Sequence, residues 1–150
     1  MYKRILVPVE HSAFDEAILE HVRELAQVCG ASIVLIHVAD GWAARNIRAL
    51  KLQESEEMRL DRVYLERLAE RMSAGGVTAE AVLASGDPAQ EIAAAATRER
   101  CDLIAMSTHG HRLIGDIIHG SVANAVRHAT TVPVLLVRGT ATGAPAERVP

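Results

Sequence analysis

The segment of residues 107–121, with the sequence STHGHRLIGDIIHGS, has the residue types and spacing that best fit ligand chemistry. It follows an apolar, strand-like run at residues 102–106 and precedes a helix-like run at residues 122–129. Glycines let the backbone come close to a ligand, and free N–H groups at a helix start attract negative charge. We therefore expect a phosphorylated ligand at this loop, with the helix opening at Gly120 and Ser121.

Charged side chains near this loop could assist such a ligand. Arg112 lies within the loop and is the preferred cation for a phosphate tail, ahead of Arg45 and Arg48. Asp116 could hold Mg²⁺ beside phosphates, and slow ATP hydrolysis would then follow, although a solvated carboxylate is the simpler interpretation. No Ser-His-acid spacing is evident, and no Lys precedes Ser121 as in a G-x-x-x-x-G-K-(S/T) loop. We therefore expect no catalytic residues.

Short apolar runs alternate with longer amphipathic patterns along the chain. The apolar runs are typical of buried strands and lie at residues 5–9, 32–38, 78–84, 102–106 and 132–137. The amphipathic patterns predict helices at residues 13–28, within 42–74, at 88–99 and from the loop to residue 129. Ser12 and Asp87 are expected N-caps, and Gly30 is an expected C-cap.

Strands joined by helices must run parallel, and right-handed crossovers place helices on both faces of the sheet. The predicted fold class is therefore α/β, a single doubly wound, Rossmann-like sheet of five parallel strands. Such sheets bind ligands at the carboxyl ends of their strands, where the strand order reverses. The loop at residues 107–121 follows the fourth strand, so it falls at that edge for an independent reason.

Histidines also gather at the carboxyl edge of the predicted sheet. His11, His37 and His109 follow or end strands, and His111 lies in the loop. Clustered imidazoles could bind a transition metal or respond to pH near neutrality. They lie on separate segments with no supporting Cys or close helical pair, so we expect polar contacts or exposed loop positions and not a metal site.

Length and composition bound the possible function classes. The 150 residues suit one domain, which we place at residues 1–138, with a flexible tail at residues 139–150. The net charge of -3 argues against a nucleic-acid binder, and no apolar run reaches membrane-spanning length. Cys29 and Cys101 have no paired spacing, so we expect two reduced thiols in a cytoplasmic protein.

Several motifs resemble those of the universal stress protein family. They are an opening I-L-V-P-V followed by an acid, G-D-P before the third helix, D-L-I-A-M-S-T-H-G closed by G-S, and a terminal V-P-V-L-L-V-R. The nucleotide-binding branch of that family carries G-x-x-G, nine residues, then G-(S/T). Gly110, nine residues and Gly120-Ser121 match this pattern, whereas Ser107 replaces the first glycine and Glu10 replaces the usual Asp.

The resemblance implies an adenine nucleotide, ATP or AMP with possible Mg²⁺, as the ligand. It implies that Val9 and Val38 border the adenine, that Glu10 accepts from the ribose or base, and that Gly110 approaches the ribose-phosphate region. Gly120, Ser121 and Val122 would contact the phosphates. The full set of candidate binding residues is Pro8, Val9, Glu10, Val38, Met106, Ser107, His109, Gly110, Arg112, Gly120, Ser121 and Val122.

Three functions remain open at this point. The first is a nucleotide-binding stress protein that acts through its conformation or partners. The second is a stress or scaffold protein that has lost the site, as the changes at Ser107 and Glu10 would allow, and the third is a weak ATPase. The apolar strand at residues 132–137 is expected at the sheet edge, where family members commonly pair, so we expect a homodimer through it.

Overall fold

The computed structural model describes residues 1–39, 56–109 and 116–139, except for the side chains of residue 109 and residues 116–121. Its five strands are β1 (Arg4–Pro8), β2 (Ser32–Ala39), β3 (Ala79–Ser85), β4 (Leu103–His109) and β5 (Val134–Gly139). All neighbouring strands are parallel, in the order β3-β2-β1-β4-β5. This arrangement confirms the doubly wound α/β sheet and places β5 at an edge.

Helices cover both faces of the sheet within the described ranges. One face carries α1 (Asp15–Cys29) and α2 (Glu56–Ala74), and the other carries α3 (Pro88–Arg98) and α4 (Asp116–Ala129). The central strand β1 is an almost continuous apolar run because its side chains enter apolar clusters on both faces. No helix in these ranges is long and apolar enough to cross a membrane.

Local signals in the sequence fix several helix ends. Gly30 ends α1 in the left-handed conformation, with φ of 66°. The Asp87 carboxylate caps α3 by accepting the Gln90 N–H at 3.0 Å, and Pro88 occupies the first helical position. The predicted cap at Ser12 is wrong, because α1 begins at Asp15 with Phe14 at the N-cap position.

The fourth helix begins earlier than the sequence predicted. It starts at Asp116, so Gly120 and Ser121 lie beyond its first turn and do not open it. An acidic residue in the first turn favours this start, because it complements the positive end of the helix dipole. In a helix with this start, the N–H groups of Gly120 and Ser121 point at carbonyl groups four residues earlier.

Two further predictions from the sequence concern segments that the structure describes only in part. The tail predicted at residues 139–150 lies outside the described residues, apart from Gly139, which ends β5. The second helix pattern, predicted within residues 42–74, is described only from Glu56, where α2 begins.

Candidate functional site

The strand order reverses between β1 and β4, so the carboxyl ends of these two strands form the topological switch point. Pro8 ends β1, and Val9 and Glu10 follow it directly, while Met106 and Ser107 lie near the end of β4. The structure therefore brings these five predicted residues to one edge of the sheet. This is where an open α/β sheet offers a crevice to a ligand.

The apolar candidates at this edge divide between the two faces of the sheet. Val9 is 4% exposed and packs into the cluster under α1 and α2. Val38, Met106 and Val122 belong to the cluster on the opposite face, under α3 and α4. Side chains alternate between faces along a strand, and the Val9 and Val38 side chains accordingly lie on opposite faces of the sheet.

Ser107 stands where the nucleotide-binding pattern has its first glycine. Its hydroxyl oxygen is buried and has no hydrogen-bond partner among the described residues. It points at the neighbouring strand, where a Cβ added to Gly139 would lie only 2.5 Å from Ser107 Oγ. The hydroxyl therefore fills space that Gly139 leaves open between β4 and β5.

A buried carboxylate organises the loop between β1 and α1. Asp15 is 3% exposed, and its oxygens accept the backbone N–H groups of Glu10 at 2.9 Å and Ser12 at 3.0 Å. The Tyr64 hydroxyl of α2 also donates to Asp15, at 2.7 Å. Burial, followed by the hydrogen bond to Asp15, raises the pKa of Tyr64, so its hydroxyl stays protonated as the donor that Asp15 requires.

Two imidazoles share one buried carboxylate beside this loop. His11 has a left-handed backbone with φ of 60°, and its Nδ1 lies 2.7 Å from Asp61 Oδ1. The His11 ring also stacks on Tyr64, with ring centres 4.0 Å apart. His37 places Nε2 3.2 Å from Asp61 Oδ2 and Nδ1 2.9 Å from the Val9 carbonyl oxygen. We call Asp15, Tyr64, His11, Asp61 and His37 the edge network.

Sequence reasoning found the two histidines at this edge but missed Asp15, Asp61 and Tyr64. A signal was present in the amphipathic stripes. Asp61 shares the buried face of α2 with Met58, Leu65 and Leu68, where a carboxylate has to find hydrogen-bond donors. Asp15 likewise begins the buried stripe of α1.

Several predicted residues are placed only in part, or lie outside the described residues. His109 ends β4, and Gly120 and Ser121 lie within α4. Gly110, Arg112 and His111 lie outside the described residues, as do Arg45 and Arg48. Within the described ranges, no group of three His, Cys, Asp or Glu side chains is arranged to hold a metal ion.

Comparison with known proteins agrees with the motifs and the fold. The model of the universal stress protein family matches residues 1–138. A universal stress protein of Thermus aquaticus, from the 3′ region of a QAH/OAS sulfhydrylase, is 33% identical over 139 residues, covering 92% of this chain and 100% of its own. The chain therefore belongs to the universal stress protein family.

Solved structures share the fold. The structure of protein MJ0577 has a TM-score of 0.72 at 26% identity and covers 92% of this chain and 96% of its own. A universal stress protein from Archaeoglobus fulgidus in complex with dAMP has a TM-score of 0.67 at 21% identity, with coverage of 90% and 97%. At that identity the second likeness concerns the fold alone.

Proposed function

We propose that this universal stress protein binds an adenine nucleotide, ATP or AMP, at the edge where β1 and β4 end, and acts through its conformation or partners. The observation that carries the proposal is the meeting of Val9 and Glu10 with Met106 and Ser107 at the topological switch point. The dAMP complex of the Archaeoglobus fulgidus protein supports an adenine nucleotide as the ligand.

In the proposed complex Val9 and Val38 border the adenine, and Glu10 accepts a hydrogen bond from the ribose or the base. The Asp15 carboxylate, by holding the N–H groups of Glu10 and Ser12, fixes the loop from which Glu10 reaches the ligand. Pro8, Met106, Ser107 and His109 complete the wall along β1 and β4.

The phosphate end of the proposed site involves Gly110, Arg112, Gly120, Ser121 and Val122, with Mg²⁺ as a possible companion of ATP. Phosphate contact through the N–H groups of Gly120 and Ser121 needs those groups to be free. In the bound protein α4 would then begin near Gly120 and not at Asp116. A glycine at this position lowers the cost of such a change, because glycine disfavours the helix interior.

The direct experiment is to purify the protein without added nucleotide, denature it, and identify the released molecules by chromatography and mass spectrometry. Near-stoichiometric ATP or AMP is the expected result and names the ligand. An empty protein whose melting temperature also fails to rise with ATP, with or without Mg²⁺, would overturn the proposal, because a ligand that binds the folded state must stabilise it.

A second candidate is a stress or scaffold protein that keeps the fold without the nucleotide. The observation that favours it is the Ser107 side chain, whose buried hydroxyl lies against Gly139 at the position of a ligand-facing glycine. Ser107→Gly separates the two functions. It should leave ATP affinity nearly unchanged if the site already works, and it should create affinity if Ser107 blocks the ligand.

We also propose a cytoplasmic homodimer that forms through β5. Among the described strands, β5 has a neighbour on one side only, and Leu136 on it is 50% exposed. Exposed apolar edge strands are usually covered by another copy or another element. An unpaired edge of this kind suits a protein that acts through partners.

A further inference from the structure

His37 lies between two atoms that can only accept hydrogen bonds. Its Nδ1 is 2.9 Å from the Val9 carbonyl oxygen, and its Nε2 is 3.2 Å from Asp61 Oδ2. A carbonyl oxygen has no hydrogen to give, and neither has an ionised carboxylate. Both contacts are satisfied when His37 is an imidazolium, because its Nδ1–H then donates to the Val9 carbonyl and the positive ring forms an ion pair with the Asp61 carboxylate.

The second Asp61 oxygen is already occupied by another donor. His11 Nδ1 lies 2.7 Å from Asp61 Oδ1, and a neutral imidazole with hydrogen on Nδ1 is sufficient for that contact. The Asp61 side chain is buried, so water offers it little competing solvation. A buried carboxylate of this kind is stabilised by a charged partner with a full set of hydrogen bonds.

We propose that His37 and Asp61 form a positioning pair that makes nucleotide binding depend on pH, an inference that rests on the proposed function. His37 joins α2 to the end of β1 by bonding the Val9 carbonyl, directly before Glu10. When His37 loses its second hydrogen, one of its nitrogens faces an acceptor with a lone pair. One of the contacts that join α2 to the nucleotide edge is then lost, and affinity falls as pH rises.

Other titratable groups around the pair act in the same network. The loop after β1 provides His11, the first residue of α1 is Asp15, and α2 provides Asp61 and Tyr64. Val9, directly after β1, presents a backbone carbonyl, and β3 places Leu83 opposite His37 in the ladder. Glu10 follows Val9 with an exposed side chain. Asp61 alone contacts both imidazoles, so it is the group to change.

Asp61→Asn is the decisive variant because it keeps the shape and changes the hydrogen count. The amide oxygen can accept from His11 Nδ1, and the amide nitrogen can donate to a neutral His37 Nε2. His37 then needs hydrogen only on Nδ1 for the Val9 carbonyl. Asp87→Asn is the matched control, because Asn caps a helix as well as Asp and Asp87 lies outside the edge network.

The first measurement uses nucleotide-free protein with ¹⁵N-labelled histidine. NMR shifts of the two ring nitrogens report which of them carry hydrogen. We expect both His37 nitrogens to be protonated together at the acidic end of the folded range, with one hydrogen lost as pH rises. A neutral His37 throughout the range in which the protein is folded would overturn the positioning pair.

The second measurement is ATP affinity from mildly acidic to mildly alkaline pH, for the wild type and the two variants. As pH rises and His37 loses its second hydrogen, we expect the ATP affinity of the wild type to fall about fivefold relative to that of Asp61→Asn. Asp87→Asn should behave like the wild type. The phosphates of ATP titrate in the same way in the measurements on all three proteins, so they do not affect the comparison. An unchanged pH dependence in Asp61→Asn would overturn the proposal.

His37→Gln serves if Asp61→Asn fails to fold, because an amide can bond the Val9 carbonyl without titrating. It should also remove the pH dependence, and retention of that dependence would count against the positioning pair. If none of the proteins binds ATP at any pH, the proposed function and its coupling to His37 both fail. The NMR result would still decide separately whether His37 carries two hydrogens.

Discussion

The hydroxyl of Ser107 occupies the space that a side chain on Gly139 would need. A Cβ on Gly139 would lie 2.5 Å from Ser107 Oγ and 3.5 Å from both Phe14 Cδ1 and the Thr108 carbonyl oxygen. The two residues lie on the neighbouring strands β4 and β5, at the edge where the ligand is proposed to bind. The serine at position 107 therefore requires a residue without a side chain at position 139.

This relationship predicts a strong coupling between the two positions. Gly139→Ala should destabilise the protein by about 1–3 kcal/mol, because overpacking forces neighbouring atoms to move. In the Ser107→Gly background the same change should cost much less, because the nearest atom is gone. Urea unfolding of the two single variants and the double variant measures the coupling. Additive losses would mean that Ser107 is not the obstacle.

The start of α4 gives a second prediction. Gly120→Ala should stabilise a helix that begins at Asp116 by about 1 kcal/mol, because alanine favours the helix interior. If phosphates need the N–H groups of Gly120 and Ser121 to be free, the same change should weaken ATP binding several-fold, as measured by calorimetry.

Asn124→Ala is the control for this effect, since Asn124 is exposed on the same helix and the change also raises helix propensity. It should leave ATP affinity unchanged. Equal weakening of ATP binding by both variants would show that general helix stability is responsible. A helix that begins near Gly120 in the bound protein would then no longer be needed to explain the effect.

The β5 edge gives a third prediction, on association. Leu135 and Val137 pack against the core, so a charge at either position would also damage the fold. Leu136 is the better position, because it is 50% exposed on the same strand. Leu136→Lys should shift the protein toward monomer in light scattering, because a charge in a dimer interface has to be desolvated.

Leu60 is a matched control for that experiment. It is 49% exposed on α2 and is also a leucine, so Leu60→Lys changes the same surface chemistry at a different place. We expect Leu60→Lys to leave the mass unchanged. A dimer that survives Leu136→Lys would exclude β5 as the interface.

The hydrogen bond from Tyr64 to Asp15 gives a fourth prediction. Tyr64→Phe should destabilise the protein by about 1–3 kcal/mol, because it removes a donor from a buried carboxylate. The pKa of Tyr64 is raised in the folded protein, so its contribution is present below the ordinary tyrosine pKa of about 10 and is lost as pH rises above it.

The stability difference between wild type and Tyr64→Phe should therefore narrow at strongly alkaline pH. Denaturant unfolding across that range measures it. Tyr2→Phe is the control, because it also removes one tyrosine hydroxyl and differs from Tyr64→Phe only in the position of the change. A difference that stays constant with pH would mean that the Tyr64 hydroxyl does not stabilise the loop through Asp15.

Local sequence signals were sufficient for most of the fold. Gly30 and Asp87 mark helix ends through their own backbone and side-chain chemistry, and apolar runs such as Ile5 to Val9 indicate strands buried on both faces. Alternation of strand and helix then fixes parallel pairing. These features depend on neighbours within a few residues, so they can be predicted from the order of residue types along the chain.

The edge network was harder to predict because its contacts are long-range. Nothing near His11 in the sequence indicates that its ring stacks on Tyr64 or bonds Asp61. Ser12 has the right residue type for a cap and its hydroxyl accepts the Phe14 N–H at 3.3 Å, yet the helix itself begins only at Asp15. At the start of α4 an acidic residue competed with the Gly-Ser signal, and local chemistry alone did not decide between them.

The bonds of Asp15 differ widely in how far they reach along the chain. Its contacts with Glu10 and Ser12 span five and three residues, whereas its bond from Tyr64 spans 49 residues. Short loops close at little entropic cost, so the turn after β1 can take shape as soon as that part of the chain is made. The turn reaches its final structure only when α2 has been made and Tyr64 can bond Asp15. During synthesis, the edge where the nucleotide is proposed to bind would therefore reach its final structure well after β1 is made.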